Sequence, residues 1–231
     1  MTTTANPLPD ITRPDVGTVL VSPWLVDTPE RQQAAVEATI AAWESAPWPH
    51  GFLSLSCFVS SDGETVLNYA QWTSDEAHHE FVRTQRPTLV RGIDDAVPGI
   101  ERPGVVRYRL YRSHVSDGPP RTADCIVIIS IQANGPERAR QWIDTVLDAL
   151  KAETDPHAGL ISAHFHISID GTRILNYAEW TDEQAHREAL ERSGPGTIGS
   201  APAWRQVQTM PGVTHIGFKR YRLQRSLSPS R

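Results

Sequence analysis

The chain has 231 residues, of which 39% are hydrophobic and 21% charged, with seven tryptophans. That composition belongs to a globular protein of one large or two small domains and excludes wholesale disorder. A formal charge of -5, with no Lys/Arg-rich run, gives no basic field for a phosphate backbone or an anionic membrane surface, so nucleic acid is excluded as an expected partner. The longest apolar run, Cys125 to Ile129, is far short of the roughly 18 residues of a membrane span. Met1 to Asp15 is polar and proline-studded, without the charged start and apolar segment of a signal peptide, and cytoplasmic residence is the expectation. The two cysteines, Cys57 and Cys125, sit in apolar runs outside any CxxC or Cys/His spacing and read as structural thiols.

The chain repeats itself. Asn68-Tyr69-Ala70-Gln71-Trp72-Thr73 returns as Asn176-Tyr177-Ala178-Glu179-Trp180-Thr181, and Gly51, Asp62, Gly63, Ala77 and His78 recur at the same offset as Gly159, Asp170, Gly171, Ala185 and His186. Upstream, Thr28-Pro29-Glu30-Arg31 matches Gly135-Pro136-Glu137-Arg138; downstream, Tyr108-Arg109-Leu110 matches Tyr221-Arg222-Leu223. Two homologous halves therefore occupy residues 17–115 and 124–227. Residues 116–123 form a linker around Gly118-Pro119-Pro120, and 1–16 and 228–231 are expected as flexible tails.

Each half opens on a β-branched run, Thr18 to Val26 or Cys125 to Ala133. A helix follows. Thr28 is its N-cap with Pro29 at the first helical position, and Gly135-Pro136 repeats the device, since the first-turn N–H that proline lacks is not needed. Val36, Ile40 and Trp43, like Ile143, Leu147 and Leu150, make one apolar helical face. Two strands then flank Asp62-Gly63 and Asp170-Gly171, strong hairpin signals. After each hairpin a capping box, Thr73 to Glu76 or Thr181 to Gln184, starts a second helix. The halves end on Val105 to Arg112 and Ile216 to Arg225. The order β-α-β-β-α-β defines an α+β fold of two ferredoxin-like repeats, expected to pack sheet to sheet as an intrachain dimeric α/β barrel.

A strand's period of two places Asn68 with Trp72, and Asn176 with Trp180, on one face. An amide that holds an oxygen and an indole that offers a flat apolar surface would suit an aromatic ligand; closed core packing is the alternative. With this strand motif and element order, each half resembles the antibiotic biosynthesis monooxygenase (ABM) family of dimeric α/β-barrel proteins, over nearly the whole chain. The resemblance implies a cofactor-independent oxygenase that oxidises a polycyclic phenol or anthrone-type aromatic polyketide to a quinone with O2 as co-substrate. It implies pocket roles for Asn68, Trp72, Asn176 and Trp180 as catalytic residues.

The family also places a His ten residues before the Asn. The second half has His166 there and His164 nearby, whereas the first has Phe58 and Ser56. A histidine near its ordinary pKa could take a phenolic proton, so His166 joins the catalytic candidates and His164 and Phe58 the substrate-binding ones. Whether His166 shares the face of Asn176 depends on the hairpin loop, because a one-residue slip flips every side chain. His78, His186 and Arg91 are further substrate-binding candidates, with capping or solvated roles as the alternative. No HExxH, dinucleotide, Walker or nucleophile-elbow motif is present, so no metal or nucleotide cofactor is expected. A polyketide cyclase or isomerase, or a non-catalytic aromatic-ligand-binding protein, are the rival readings. A haem-degrading relative is a weaker one, since Val82 and Leu190 stand where that family has its His. The internal repeat supplies a pseudo-dimer within one chain and leaves room for a homodimer.

Overall fold

The computed structural model describes residues 7–154, 157–193, 199 and 202–229. Among these, eight strands and six helices alternate as β1 (Thr18–Leu25), α1 (Pro29–Glu44), β2 (Phe52–Ser60), β3 (Thr65–Trp72), α2 (Asp75–Thr84), α3 (Arg86–Ala96), β4 (Val106–Val115), β5 (Cys125–Ala133), α4 (Pro136–Ala152), β6 (Leu160–Ser168), β7 (Arg173–Trp180), α5 (Glu183–Ser193), α6 (Ala203–Thr209) and β8 (Val213–Leu227). The chain is thus α+β, and the same element order occurs twice. It forms two compact units, one of residues 1–108 with 221–231 and one of residues 109–220. β4 and β8 each contribute to both.

In the first unit β1 lies between β3 and the first residues of β4, and β2 lies between β3 and the last residues of β8, all antiparallel. In the second unit β7 lies between β5 and β6, also antiparallel. One sheet face in each unit carries the helices. The first core joins Leu20, Cys57, Val66 and Trp72 to Val36, Ile40 and Trp43 of α1. The second joins Val127, Phe165, Ile174 and Trp180 to Ile143 and Leu147 of α4. These are the helical positions whose spacing marked an apolar face. No helix among the described residues is long and apolar enough to cross a membrane.

Several local expectations change. The second helix of the first half is broken at Gln85, because Pro87 has no N–H to carry the helical hydrogen-bond ladder across that point; α3 restarts with that proline in its first turn. The helix caps lie one residue later than expected. Ser74 accepts from the Ala77 N–H at 3.1 Å and Asp182 from the Ala185 N–H at 2.9 Å, because Thr73 and Thr181 are still tied by their own N–H groups to Gly51 and Gly159. Of the expected N-terminal tail, residues 7–16 are described and pack: Ile11 is buried and Gln71 Nε2 donates to the Asp10 carbonyl at 2.7 Å. Residues 1–6, and 230–231 of the expected C-terminal tail, lie outside the described residues.

The hairpins set the register on which the site depends. Neither is a two- or three-residue turn. Four residues, 61–64 and 169–172, connect the strands, closed by Gly63 N–H to Ser60 O and Gly171 N–H to Ser168 O. Both glycines have positive φ, 83° and 73°, which an L side chain adopts only with strain. A Cβ at Gly171 would also stand 2.7 Å from the Pro136 ring that begins α4, and one at Gly63 would stand 2.8 Å from the ring of Pro29. The recurrence of Pro at the helix start and Gly in the hairpin is therefore one packing contact seen twice. Gly171→Ala is expected to cost about 2 kcal/mol, measured as a lower urea midpoint at unchanged m-value.

Candidate active site

Between the helix-bearing face of β5, β6 and β7 and the helices α4, α5 and α6 lies a cavity of about 230 Å3, with residues 215–218 of β8 at its edge. Its wall is apolar except for Asn176, His186, His215 and the indole N–H groups of three tryptophans. Trp142 donates to Val207 O and Trp204 to Glu153 Oε2, each at 3.2 Å. Trp180 differs. Its Nε1–H is buried without a hydrogen-bond partner among the described residues, and so is Asn176 Oδ1. A buried polar atom left unpaired costs about 1–3 kcal/mol, and native proteins keep few of them. Two on one cavity wall, one donor and one acceptor, fit a ligand that presents an oxygen.

His186, almost wholly buried, completes this wall. It lies edge-on to Trp180, ring centroids 4.9 Å apart, and Arg220 Nε donates to its Nδ1 at 2.9 Å. Arginine has no acceptor. Nδ1 must therefore be unprotonated, and the neutral ring carries its proton on Nε2. Burial first, and then the charges of Arg220 and Arg187, push the His186 pKa down to about 4, so at neutral pH this imidazole is an uncharged hydrogen-bond donor.

The first unit repeats the arrangement around a smaller cavity. Asn68, Trp72 and His78 line a cavity of about 110 Å3; Arg107 holds His78 Nδ1 at 3.0 Å, and the His78 pKa falls to about 4, again chiefly through burial. Trp43 stacks on Phe52 at 4.5 Å and on Phe81 at 5.2 Å, with Trp72 against both phenylalanines. By the repeat register their counterparts are the smaller Leu150, Leu160 and Ala189, which leave the second cavity room. Asn68 also differs from Asn176. Cys57 Sγ donates to its Oδ1 at 3.4 Å, whereas the residue opposite Asn176 is Phe165, which has nothing to donate. Burial raises the Cys57 thiol to about 12, which keeps it a thiol.

The structure separates His166 from the residues it was expected to serve. An even number of loop residues pairs Asn176 with Phe165 and His166 with Leu175, so His166 lies on the opposite face, fully buried, with Nδ1 at 3.2 Å from the His164 carbonyl. His164 shares that face, its Nδ1 2.8 Å from Ser113 Oγ, as does Tyr177 opposite it. Phe58 pairs with Leu67 and is likewise turned away from Asn68. None of the three lines either of these two cavities. Arg91 is exposed on α3; Arg86 reaches the first cavity instead. Arg107, Arg220 and His215 escaped the sequence reading. The signal for the arginines was present, since each precedes the matched Tyr-Arg-Leu by one residue. Among the described residues no group of three His, Cys, Asp or Glu is arranged to hold a metal ion.

Repeated α+β units whose sheets turn an amide and an indole toward a helix-covered apolar cavity define the class: the chain has the ABM-like monooxygenase fold. It is 30% identical over 64 residues to the tetracenomycin-F1 monooxygenase of Streptomyces glaucescens, a stretch of 28% of this chain and 57% of that protein. The chain thus matches little more than half the length of that curated relative. Among solved structures it resembles an anthrone oxidase-like protein, with a TM-score of 0.68 over 94% of this chain and 95% of that one at 15% identity. A monooxygenase of the Streptomyces coelicolor ActVA-Orf6 gene, solved with nanaomycin D, is 31% identical, covering 50% of this chain and 100% of that one with a TM-score of 0.39. No protein-family model matches the chain.

Two measurements check this geometry. Leu150→Trp, which installs the residue that the first repeat carries as Trp43, is expected to fill part of this cavity and so to weaken binding of an apolar fluorescent dye, read by its emission, while the protein stays folded. Stability also responds to pH. His78, His166 and His186 all have folded pKa values pushed down to about 4 by burial, so between about 6.5 and 4 the unfolded chain binds protons that the folded chain does not. Stability to urea is therefore expected to fall as the pH drops through that window, and the fall should be shallower in His166→Phe.

Proposed function

We propose that the chain is a cofactor-independent monooxygenase whose working site is the cavity of the second unit, and that its substrate is a polycyclic phenol or anthrone-type aromatic polyketide. The observation that carries this reading is the unpaired Asn176 Oδ1 and Trp180 Nε1–H on an apolar wall. Asn176 Oδ1 accepts a hydrogen bond from the hydroxyl of the enol form of the substrate, and the N–H groups of Trp180 and His186 donate to the oxyanion that remains when the proton leaves. Both donors are neutral. They stabilise the anion without capturing it as an ion pair, and fixed donors aimed at developing charge are usually the largest catalytic term.

The anion supplies the electrons. One passes to O2, the resulting radical and superoxide join through a carbon–oxygen bond, and the protonated peroxide loses water to leave a carbonyl. A methylene and O2 become a ketone and water, so the balance needs no metal, flavin or haem. The similarity to the tetracenomycin-F1 monooxygenase and to the anthrone oxidase-like fold supports this substrate class. The tandem arrangement belongs to the same proposal: two ferredoxin-like repeats serve as an intrachain pseudo-dimer, of which one repeat keeps an open site and the other is filled with aromatic side chains.

Oxygen uptake with dithranol, corrected for autoxidation, tests the reading. Enzyme-dependent uptake without added cofactor is expected, with Asn176→Ala lowering kcat about a hundredfold and Asn68→Ala leaving it nearly unchanged. No uptake above autoxidation across several hydroxyanthrones and phenols would give the cavity to a cyclase, an isomerase or a binding protein.

A further inference from the structure

The oxidation written above needs a group to take the substrate's proton, and the cavity restricts which group that is. His166 and His164 lie on the other sheet face. Asn176 and Trp180 are not bases. His186 lines the cavity, but its one unprotonated nitrogen, Nδ1, is occupied by Arg220 at 2.9 Å. To accept a proton it would have to turn an N–H toward a guanidinium, so it can donate but cannot act as the base.

One imidazole remains. His215 lies on β8 at the edge of the cavity, its ring edge-on to Trp142 with centroids 5.5 Å apart. Within the described residues it makes no hydrogen bond, and the residue is exposed to solvent. Because Gly99 and Tyr108 match Gly212 and Tyr221 at one offset, the position of His215 in the first repeat is held by Arg102. Arg102 is paired with Asp94 at 2.7 Å and lies over Trp24 at 4.4 Å, and a guanidinium cannot accept a proton. The half with the smaller cavity thus has no imidazole at this position.

We propose that His215 is the proton acceptor of this site, resting on the oxidation proposed above. The enol O–H bond breaks as an N–H bond forms on His215, and the electron pair stays in the conjugated oxygen–carbon system that then reduces O2. The imidazolium returns its proton to the peroxide, or to water at the cavity edge, before the O–O bond breaks. Burial holds the His215 pKa below its ordinary value. The ring is therefore neutral and ready to accept at pH 7. Of the other charged groups on the elements around the cavity, Arg220 on β8 and Glu183, His186 and Arg187 on α5 interact with one another, Glu153 at the end of α4 accepts from the Trp204 indole, and Asp144 on α4 is paired with Arg112.

The test compares the 231-residue chain with its His215→Gln variant in oxygen uptake, in dithranol binding by tryptophan quenching, and with added imidazole. Binding is expected to change less than threefold, while kcat falls about a hundredfold, the typical worth of a positioned base. The acid limb of the kcat/KM profile below pH 6.5 should disappear, and imidazole should restore part of the rate. Full turnover with the acid limb intact would overturn the assignment. So would loss of binding together with turnover, without rescue by imidazole, since that is the behaviour of a structural residue. A wild-type protein that consumes no oxygen defeats the oxidation itself, and this proposal with it; a wild type that turns over beside an equally active variant defeats only His215.

Discussion

Parity is the constraint on which this site depends. In an antiparallel hairpin the number of loop residues decides which side chains share a face, and four residues between β6 and β7 turn Asn176, Ala178 and Trp180 toward the helices while His164, His166 and Tyr177 go the other way. The loop length is fixed in turn by a glycine with positive φ that rests on the proline at the start of the first helix. An odd loop would have placed an imidazole beside the amide. The actual one places it in a fully buried setting whose low dielectric keeps it neutral.

The two repeats show how small changes open or close one design. In the first, Cys57 satisfies the amide oxygen of Asn68, and Trp43, Phe52 and Phe81 occupy the space beside Trp72. In the second, Phe165 stands where Cys57 would be, and leucines and an alanine replace the larger rings. The result is a larger cavity with an unpaired acceptor and an unpaired donor on the same wall. Such atoms weaken the fold, so their persistence in a well-packed unit argues for a ligand that restores the missing hydrogen bonds.

The arginine–histidine pairs are common to both units. An arginine that can only donate, aimed at Nδ1, fixes the tautomer of a buried imidazole and keeps a second proton off it. In the second unit this turns His186 into a neutral donor beside Trp180, suited to hold an oxyanion without neutralising it. In the first unit the same contact between Arg107 and His78 borders the smaller cavity.

By itself the sequence determined the repeat, the element order, the helix starts at Thr28-Pro29 and Gly135-Pro136, and the common face of Asn and Trp, because these follow from local periodicity and from turn and cap chemistry. It also carried the identity of Arg107 and Arg220 in the two halves, although nothing local said what they would touch. Tertiary structure decided the rest. The face of His166 hung on one loop residue, the caps moved to Ser74 and Asp182 because the last ladder bonds claimed Thr73 and Thr181, and Pro87 divided a helix. The arrival of His215 at the cavity, like the pairing of Arg220 with His186, joins residues far apart in the chain. Such contacts are set by how strands and helices pack, and no spacing along a single segment encodes them.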